Sequence, residues 1–201
     1  MALVILDRDG VINHDSEDYI KSPDEWQPIA GSLEAIARLC RAGYRVVIAT
    51  NQAGIARGRF DIDALNQIHR KMIFCAQEKG GKIDAIFFCP HAPDNYCDCR
   101  KPKPGLLLDA SERLRIPLAG VPFVGDSISD LEAAQAVGAL PVLVKTGYGS
   151  ASYAEWFGDN NRHRVEDVPV YQDLAAFTDD LLEHGLDHRV AKLAGGRPRA
   201  N

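Results

Sequence analysis

Five short apolar runs, each ending abruptly at polar residues, constrain this chain more than any other feature. They are Ala2 to Leu6, Tyr44 to Ala49, Ile83 to Cys89, Val121 to Val124 and Leu140 to Val144. Continuous rather than alternating apolar character marks strands that are covered on both faces. Between the runs, apolar residues recur at helical spacing: Leu33, Ile36, Ala37 and Cys40, then Leu65, Ile68, Met72 and Cys75, then Leu131, Ala134 and Val137. Asp61 is suited to cap the second of these helices and Gly43 to stop the first. The alternation predicts an α/β fold, a doubly wound and mainly parallel sheet with helices on both faces and right-handed crossovers. Val168 to Tyr171 and Leu174 to Leu182 predict a last short strand and a closing helix. Residues 1–185 are expected to form a single domain, and 186–201, rich in Gly, Arg and Pro, a flexible tail.

In such sheets ligands bind at the carboxyl ends of the strands. The polar residues that end the runs are therefore the candidates: Asp7 and Asp9, Thr50 and Asn51, a cysteine cluster, and Asp126. A net charge of −5, without a basic stripe, points away from a nucleic-acid partner. No apolar stretch approaches the roughly 20 residues a membrane span needs, and Met1 to Leu6 has no basic n-region. The expectation is a cytoplasmic protein, monomeric, with neither a nucleic acid nor a membrane as partner.

Asp7-Arg8-Asp9-Gly10 sets two carboxylates two residues apart just past a strand. One carboxylate can attack phosphorus and carry it as an acyl phosphate. The other can protonate the leaving oxygen and later deprotonate water. An isolated Asp-x-Asp is more simply a pair of turn residues. Here the other parts of a phosphoryl-transfer site follow in order: Thr50 after a buried run, Lys101 in Lys101-Pro102-Lys103-Pro104-Gly105 ahead of a helix, and Asp126 in Gly125-Asp126-Ser127-Ile128-Ser129-Asp130. Mg²⁺ suits the oxygen ligands of Asp7, Asp9 (through its carbonyl) and Asp126. Asp130, one helical turn on, reads as a supporting or capping residue.

Of the five cysteines, Cys89, Cys97 and Cys99 lie within eleven residues around His91. Three thiolates and an imidazole fill a tetrahedral Zn²⁺ site with no open position, which makes such a site structural. Cys40 and Cys75 fall on helices, as buried inert thiols.

Taken together, the four segments from Asp7 to Asp130 resemble the motifs of the haloacid dehalogenase superfamily of phosphotransferases. That resemblance implies Asp7 as nucleophile, Asp9 as general acid/base, Thr50 and Lys101 as phosphoryl stabilisers and Asp126 as Mg²⁺ ligand. The zinc loop, with Cys97 to Gly105 and Thr50 to Gly58, is similar to that of the heptose bisphosphate phosphatases, which remove the 7-phosphate of D-glycero-D-manno-heptose 1,7-bisphosphate. It implies substrate roles for Arg100, Asn51 and Gln52. Tyr19 reads as a pocket wall, and Trp26 as either a wall or a core anchor. Ser127 stands where some members carry a lysine, and Arg57 and Arg59 are candidates to replace its contact to a second phosphate. No segment is long enough for a large cap, which disfavours a phosphomutase. Two alternatives stay open: a histidinol-phosphate phosphatase, which shares the zinc loop, and a non-enzymatic binding module on the same scaffold.

Overall fold

A computed structural model describes residues 2–157 and 168–185. Six strands, β1 (Leu3–Leu6), β2 (Arg45–Asn51), β3 (Ala85–Cys89), β4 (Pro122–Gly125), β5 (Leu140–Val144) and β6 (Val170–Tyr171), form one sheet in the order β3-β2-β1-β4-β5-β6. Every neighbouring pair is parallel, with Leu6 opposite Ile48 on one side and Val124 on the other. The chain winds outward from β1 to β3, then resumes beside β1 and winds the other way. The β1/β4 junction is thus the switch point, where parallel sheets open a crevice beyond their carboxyl ends.

The helices are α1 (Ser32–Arg41), α2 (Ala53–Ala56), α3 (Ile62–Glu78), α4 (Gly105–Leu114), α5 (Ile128–Ala136), α6 (Gly149–Trp156) and α7 (Leu174–His184). Side chains alternate along each strand, so a strand fed by apolar residues at every position supplies two cores. Val4 and Leu6 of β1 join Leu33, Ile36 and Leu39 of α1, Ile68 and Met72 of α3 and Phe177 of α7. Leu3 and Ile5, on the other face, join Leu106, Leu107 and Ala110 of α4 with Ala133 and Ala134 of α5. Both layers are buried, which accounts for the unbroken apolar runs. Asp61 caps α3, its Oδ1 accepting from the Ala64 N–H at 2.8 Å. Gly43 follows α1 in the left-handed region, where the chain turns into β2.

Several details differ from the sequence reading. β3 begins at Ala85 rather than Ile83, and β6 is only two residues long. Two helices were not foreseen: α2, a single turn after β2, and α6, after Gly147. Pro104 lies at the N-cap of α4 rather than inside its first turn. Gly105 takes the first helical position, where a Cβ would stand 2.3 Å from the Asp98 carbonyl oxygen. The expected tail, 186–201, lies outside the described residues. Among the described residues no helix is long and apolar enough to cross a membrane.

Candidate active site

Asp7 leaves the end of β1, and its backbone N–H donates to Val124 O of β4 at 2.8 Å, so it sits on the switch point itself. Its carboxylate Oδ1 accepts from the Arg8 N–H at 2.7 Å and pairs with Lys101 Nζ at 3.0 Å. Among the described residues both of these contacts fall on Oδ1, and Asp7 lines the cleft. Lys101 is buried, and its ammonium donates to Ala49 O at 2.9 Å and forms ion pairs with Asp7 Oδ1 and with Asp130 Oδ1 at 2.5 Å. The loop carrying it is tied to β2 by Asn51, whose Oδ1 accepts from Lys101 N at 3.1 Å and whose Nδ2 donates to Lys101 O at 3.2 Å.

Asp126 follows β4 in the same way. Its Oδ2 accepts from the Tyr148 N–H at 2.8 Å. Two glycines let the backbone close on this carboxylate: a Cβ at Gly10 would lie 2.0 Å from Asp126 Oδ2, and one at Gly147 would lie 2.1 Å from it and 2.6 Å from Gly10 Cα. Both have positive φ, so both steric and conformational grounds require glycine. Asp130 is differently occupied. Its Oδ2 accepts from Ser127 N at 3.1 Å and Ser127 Oγ at 2.6 Å, capping α5, while Oδ1 holds Lys101.

Ligand atoms of Asp7, Asp126 and Asp130 lie within 4.8 Å of one another. Three carboxylates therefore face one buried ammonium. Burial pushes the Asp7 carboxyl up to about 7, with Asp130 and Asp9 adding to the rise and Lys101 opposing it. Burial, then Asp130 and Asp7, push Asp126 up to about 9. Lys101 goes the other way, to about 12, because Asp130 and Asp7 outweigh the cost of burying its charge. With Asp130 committed to Lys101 and Ser127, the excess negative charge rests on Asp7 and Asp126. An all-oxygen pair with surplus charge fits a hard divalent cation.

Asp9 is held by four donors. Arg8 Nε and Nη2 form a fork on Oδ1 and Oδ2 at 3.0 and 2.8 Å, Asn13 Nδ2 reaches Oδ1 at 2.8 Å, and Gln52 Nε2 reaches Oδ2 at 2.9 Å. Burial alone would raise this carboxyl, but the Arg8 charge and the hydrogen bonds from Asn13, Gln52 and Arg8 keep it below the ordinary carboxylate value. Gln52 also donates to Thr50 Oγ1 at 2.9 Å, so its amide is engaged with the catalytic candidates.

The cleft over these groups encloses about 340 Å³ and is open to one side. Its floor is Asp7, Asp9, Thr50, Lys101 and Asp126; its walls include Tyr19, Asn51, Gln52, Arg57, Arg100, Ser127 and Tyr148. Tyr19, with φ 63, accepts a hydrogen bond at its hydroxyl from Arg57, whose guanidinium also lies over the ring. Arg59 is not in the lining. Trp26 is fully buried in the core beside α3, which settles its two readings in favour of the anchor.

At the end of β3, Cys89, His91, Cys97 and Cys99 converge. Cys89 Sγ lies 3.6 Å from His91 Nδ1, 3.7 Å from Cys97 Sγ and 3.2 Å from Cys99 Sγ, and His91 Nδ1 lies 3.3 Å from Cys99 Sγ. Disulfides, at roughly 2.05 Å, are excluded. Tetrahedral Zn²⁺ with bonds of about 2.3 Å to sulfur gives ligand separations of about 3.7 Å, which these distances approach. The loop they close delivers Arg100, whose Nη1 donates to His91 O at 3.3 Å, and then Lys101.

Arg8, Asn13, His69 and Tyr148 went unnoticed in the sequence, although each touches a residue of the site. His69 lies on the buried stripe of α3, where a titratable residue among Leu65, Ile68 and Met72 was the available signal.

A family model described as HAD-hydrolase-like matches residues 98–171. The D-glycero-beta-D-manno-heptose-1,7-bisphosphate 7-phosphatase of Pseudomonas aeruginosa is 51% identical over 182 residues, 90% of this chain and 98% of the relative. That of Bordetella bronchiseptica is 51% identical over 183 residues, 91% and 99% of the two chains. The solved structure of the D,D-heptose 1,7-bisphosphate phosphatase from B. bronchiseptica, complexed with magnesium and phosphate, superimposes with a TM-score of 0.86 at 51% identity, covering 91% of this chain and 99% of that one. The corresponding phosphatase from Burkholderia thailandensis matches with a TM-score of 0.70 at 45% identity, over 90% and 99% of the two chains.

Proposed function

The chain belongs to the D-glycero-D-manno-heptose-1,7-bisphosphate 7-phosphatase family of HAD-like hydrolases, and from that membership we propose that it hydrolyses the 7-phosphate of the heptose bisphosphate through an aspartyl phosphate on Asp7. The single observation that carries the mechanism is the Asp7 carboxylate, anchored through Oδ1 by the Arg8 N–H and Lys101 and lining the cleft.

Asp7 Oδ2 attacks phosphorus in line with the sugar oxygen, forming the acyl phosphate as the phosphorus–oxygen bond to the sugar breaks. Lys101 and Thr50, which line the cleft with the nucleophile, hold the equatorial oxygens, and they are buried before substrate arrives, so little reorganisation is needed. Asp9 gives its proton to the departing oxygen. It must first acquire that proton, and a phosphate dianion brought against it favours the protonated form. Asp9 then takes a proton from water, which attacks phosphorus and frees Asp7. Asp7, Asp126 and the Asp9 carbonyl would hold Mg²⁺, which when bound offsets the charge of the phosphate and the carboxylates.

Cys89, His91, Cys97 and Cys99 would hold a structural Zn²⁺, which fixes the loop that presents Arg100 and Lys101. The second phosphate lies toward Arg57 and Arg100, the cationic walls of the cleft, with Arg57 in place of the lysine absent at Ser127. Tyr19, Asn51 and Ser127 line the sugar's path, although Asn51 also ties down the Lys101 loop and the Ser127 hydroxyl donates to Asp130.

A substrate panel tests this reading: both heptose bisphosphate anomers and histidinol phosphate, each with phosphorus NMR of the product. A higher kcat/KM on heptose bisphosphate, with the 1-phosphate retained, is expected. Preference for histidinol phosphate, or loss of the 1-phosphate, would retire it.

A further inference from the structure

Asp9 has a second supporting layer that the reaction sequence leaves unexplained. Arg8 is 1% exposed, and its guanidinium is shared among three side chains. Nε and Nη2 grip Asp9, Nη2 also reaches Gln52 Oε1 at 3.1 Å, and Nη1 lies 3.3 Å from His69 Nε2. A guanidinium has donors only. His69 Nε2 must therefore accept, which puts the imidazole proton on Nδ1. The imidazole is itself fixed, 7% exposed on α3 and set edge-on to Phe88 of β3 with ring centroids 6.1 Å apart.

We propose that His69 is a positioning residue for the general acid/base: by accepting from Arg8 Nη1 it orients the guanidinium so that the fork on Asp9 is set before substrate binds. The inference rests on the role of Asp9 given above. Burial, reinforced by Arg8 and only partly opposed by Asp9, holds the His69 imidazole down at about 3, so it stays a neutral acceptor throughout the working range. A protonated histidine could not face Arg8. A leucine there would leave one N–H of a buried guanidinium without a partner, which favours rotation of the fork away from Asp9.

The test compares the full-length protein, metal-loaded, with His69→Leu, His69→Gln and an Asp9→Asn control. Two substrates are used: heptose bisphosphate, whose alkoxide leaving group needs a proton, and 4-nitrophenyl phosphate, whose leaving group does not. For His69→Leu, kcat on the bisphosphate should fall by about 10- to 100-fold, a part of the roughly 10²–10⁴-fold that acid/base catalysis contributes. KM should stay within about twofold, and the 4-nitrophenol burst should keep its rate within about threefold. His69→Gln, which restores an acceptor oxygen, should recover most of the loss.

Equal losses in kcat on the bisphosphate and in the rate of the 4-nitrophenol burst would show a merely structural role and overturn the proposal, as would an unchanged kcat on the bisphosphate. If His69→Leu does not fold, His69→Gln decides: turnover of the bisphosphate below about a third of the parent's, with the burst equally slowed, would overturn it. Normal bisphosphate turnover by Asp9→Asn would instead refute the acid/base assignment underneath, so the two failures are distinguishable.

Discussion

Replacing Lys101 by methionine separates the stability of this site from its chemistry. The ammonium lies 3.0 Å from Asp7 Oδ1 and 2.5 Å from Asp130 Oδ1, with 1% side-chain exposure. Methionine keeps much of the volume and can pack on Phe123, over which Lys101 now lies. It leaves two buried carboxylates facing each other. Removing one member of a buried ion pair costs about 3–5 kcal/mol. In a chain of this length each kcal/mol moves Tm by about 2–4 °C, so Tm should drop by roughly 6–20 °C in the metal-free protein. Adding Asp130→Asn removes one of the stranded charges and retains an acceptor for Ser127, so about half the drop should be recovered. Turnover should not recover: the phosphoryl group has lost its buried cation, a loss of about 100-fold or more. Thermal unfolding followed by circular dichroism, with phosphate release measured in parallel, reads both quantities. An unchanged Tm in the single variant, or restored turnover in the double variant, would refute the reasoning.

The pH dependence of the metal-free protein follows from Asp7 and Asp126. Their folded values of about 7 and about 9 lie above the ordinary 3.8, so the folded state binds more protons between these limits. Stability is fully present below about pH 4 as far as these two groups are concerned, and is lost as pH rises through 7 and 9; denaturant titrations at pH 5, 7 and 9 should show the decline, and Mg²⁺ should reverse it. Cys99→Ser should lower bound zinc and, because the loop carries Arg100 and Lys101, weaken phosphate binding about tenfold or more; metal analysis with calorimetry checks both, and intact phosphate affinity after zinc loss would count against a structural role. Gly147→Ala should raise the Mg²⁺ concentration for half-maximal turnover by about tenfold or more, since the new Cβ lies 2.1 Å from Asp126 Oδ2; an unchanged Mg²⁺ titration would contradict that carboxylate's assigned role.

The sheet was legible because β1, β2, β4 and β5 are buried on both faces, which forces continuous apolar runs, and those of β1, β2 and β4 end where the cleft begins. The helix α6 was not, because Gly149-Ser150-Ala151-Ser152 carries little amphipathic contrast and its main anchor, Trp156, comes at the end. The single turn α2 is set by tertiary bonds, the Gln52 N–H to Cys89 O at 2.7 Å and the Ala56 N–H to Pro90 O at 3.2 Å, which no local pattern encodes. The carboxylates, Thr50, Lys101 and the cysteine cluster announce their chemistry by residue type and order. The roles of Arg8 and Gln52 as holders of other side chains depend on long-range geometry, whereas Asp130 reads from the sequence as the supporting and capping residue it is. An arginine between two aspartates reads as a solvated charge until the fold buries it against His69.

The most direct measurement concerns the Asp7 carboxyl during turnover. Quenching the enzyme in mid-reaction with borohydride reduces an acyl phosphate to the alcohol, and peptide mass spectrometry then locates the reduced residue. Conversion at Asp7 alone, dependent on substrate and abolished in Asp7→Asn, is the expected result. Rapid hydrolysis with Asp7 unmodified, or reduction at a different carboxyl, would contradict it.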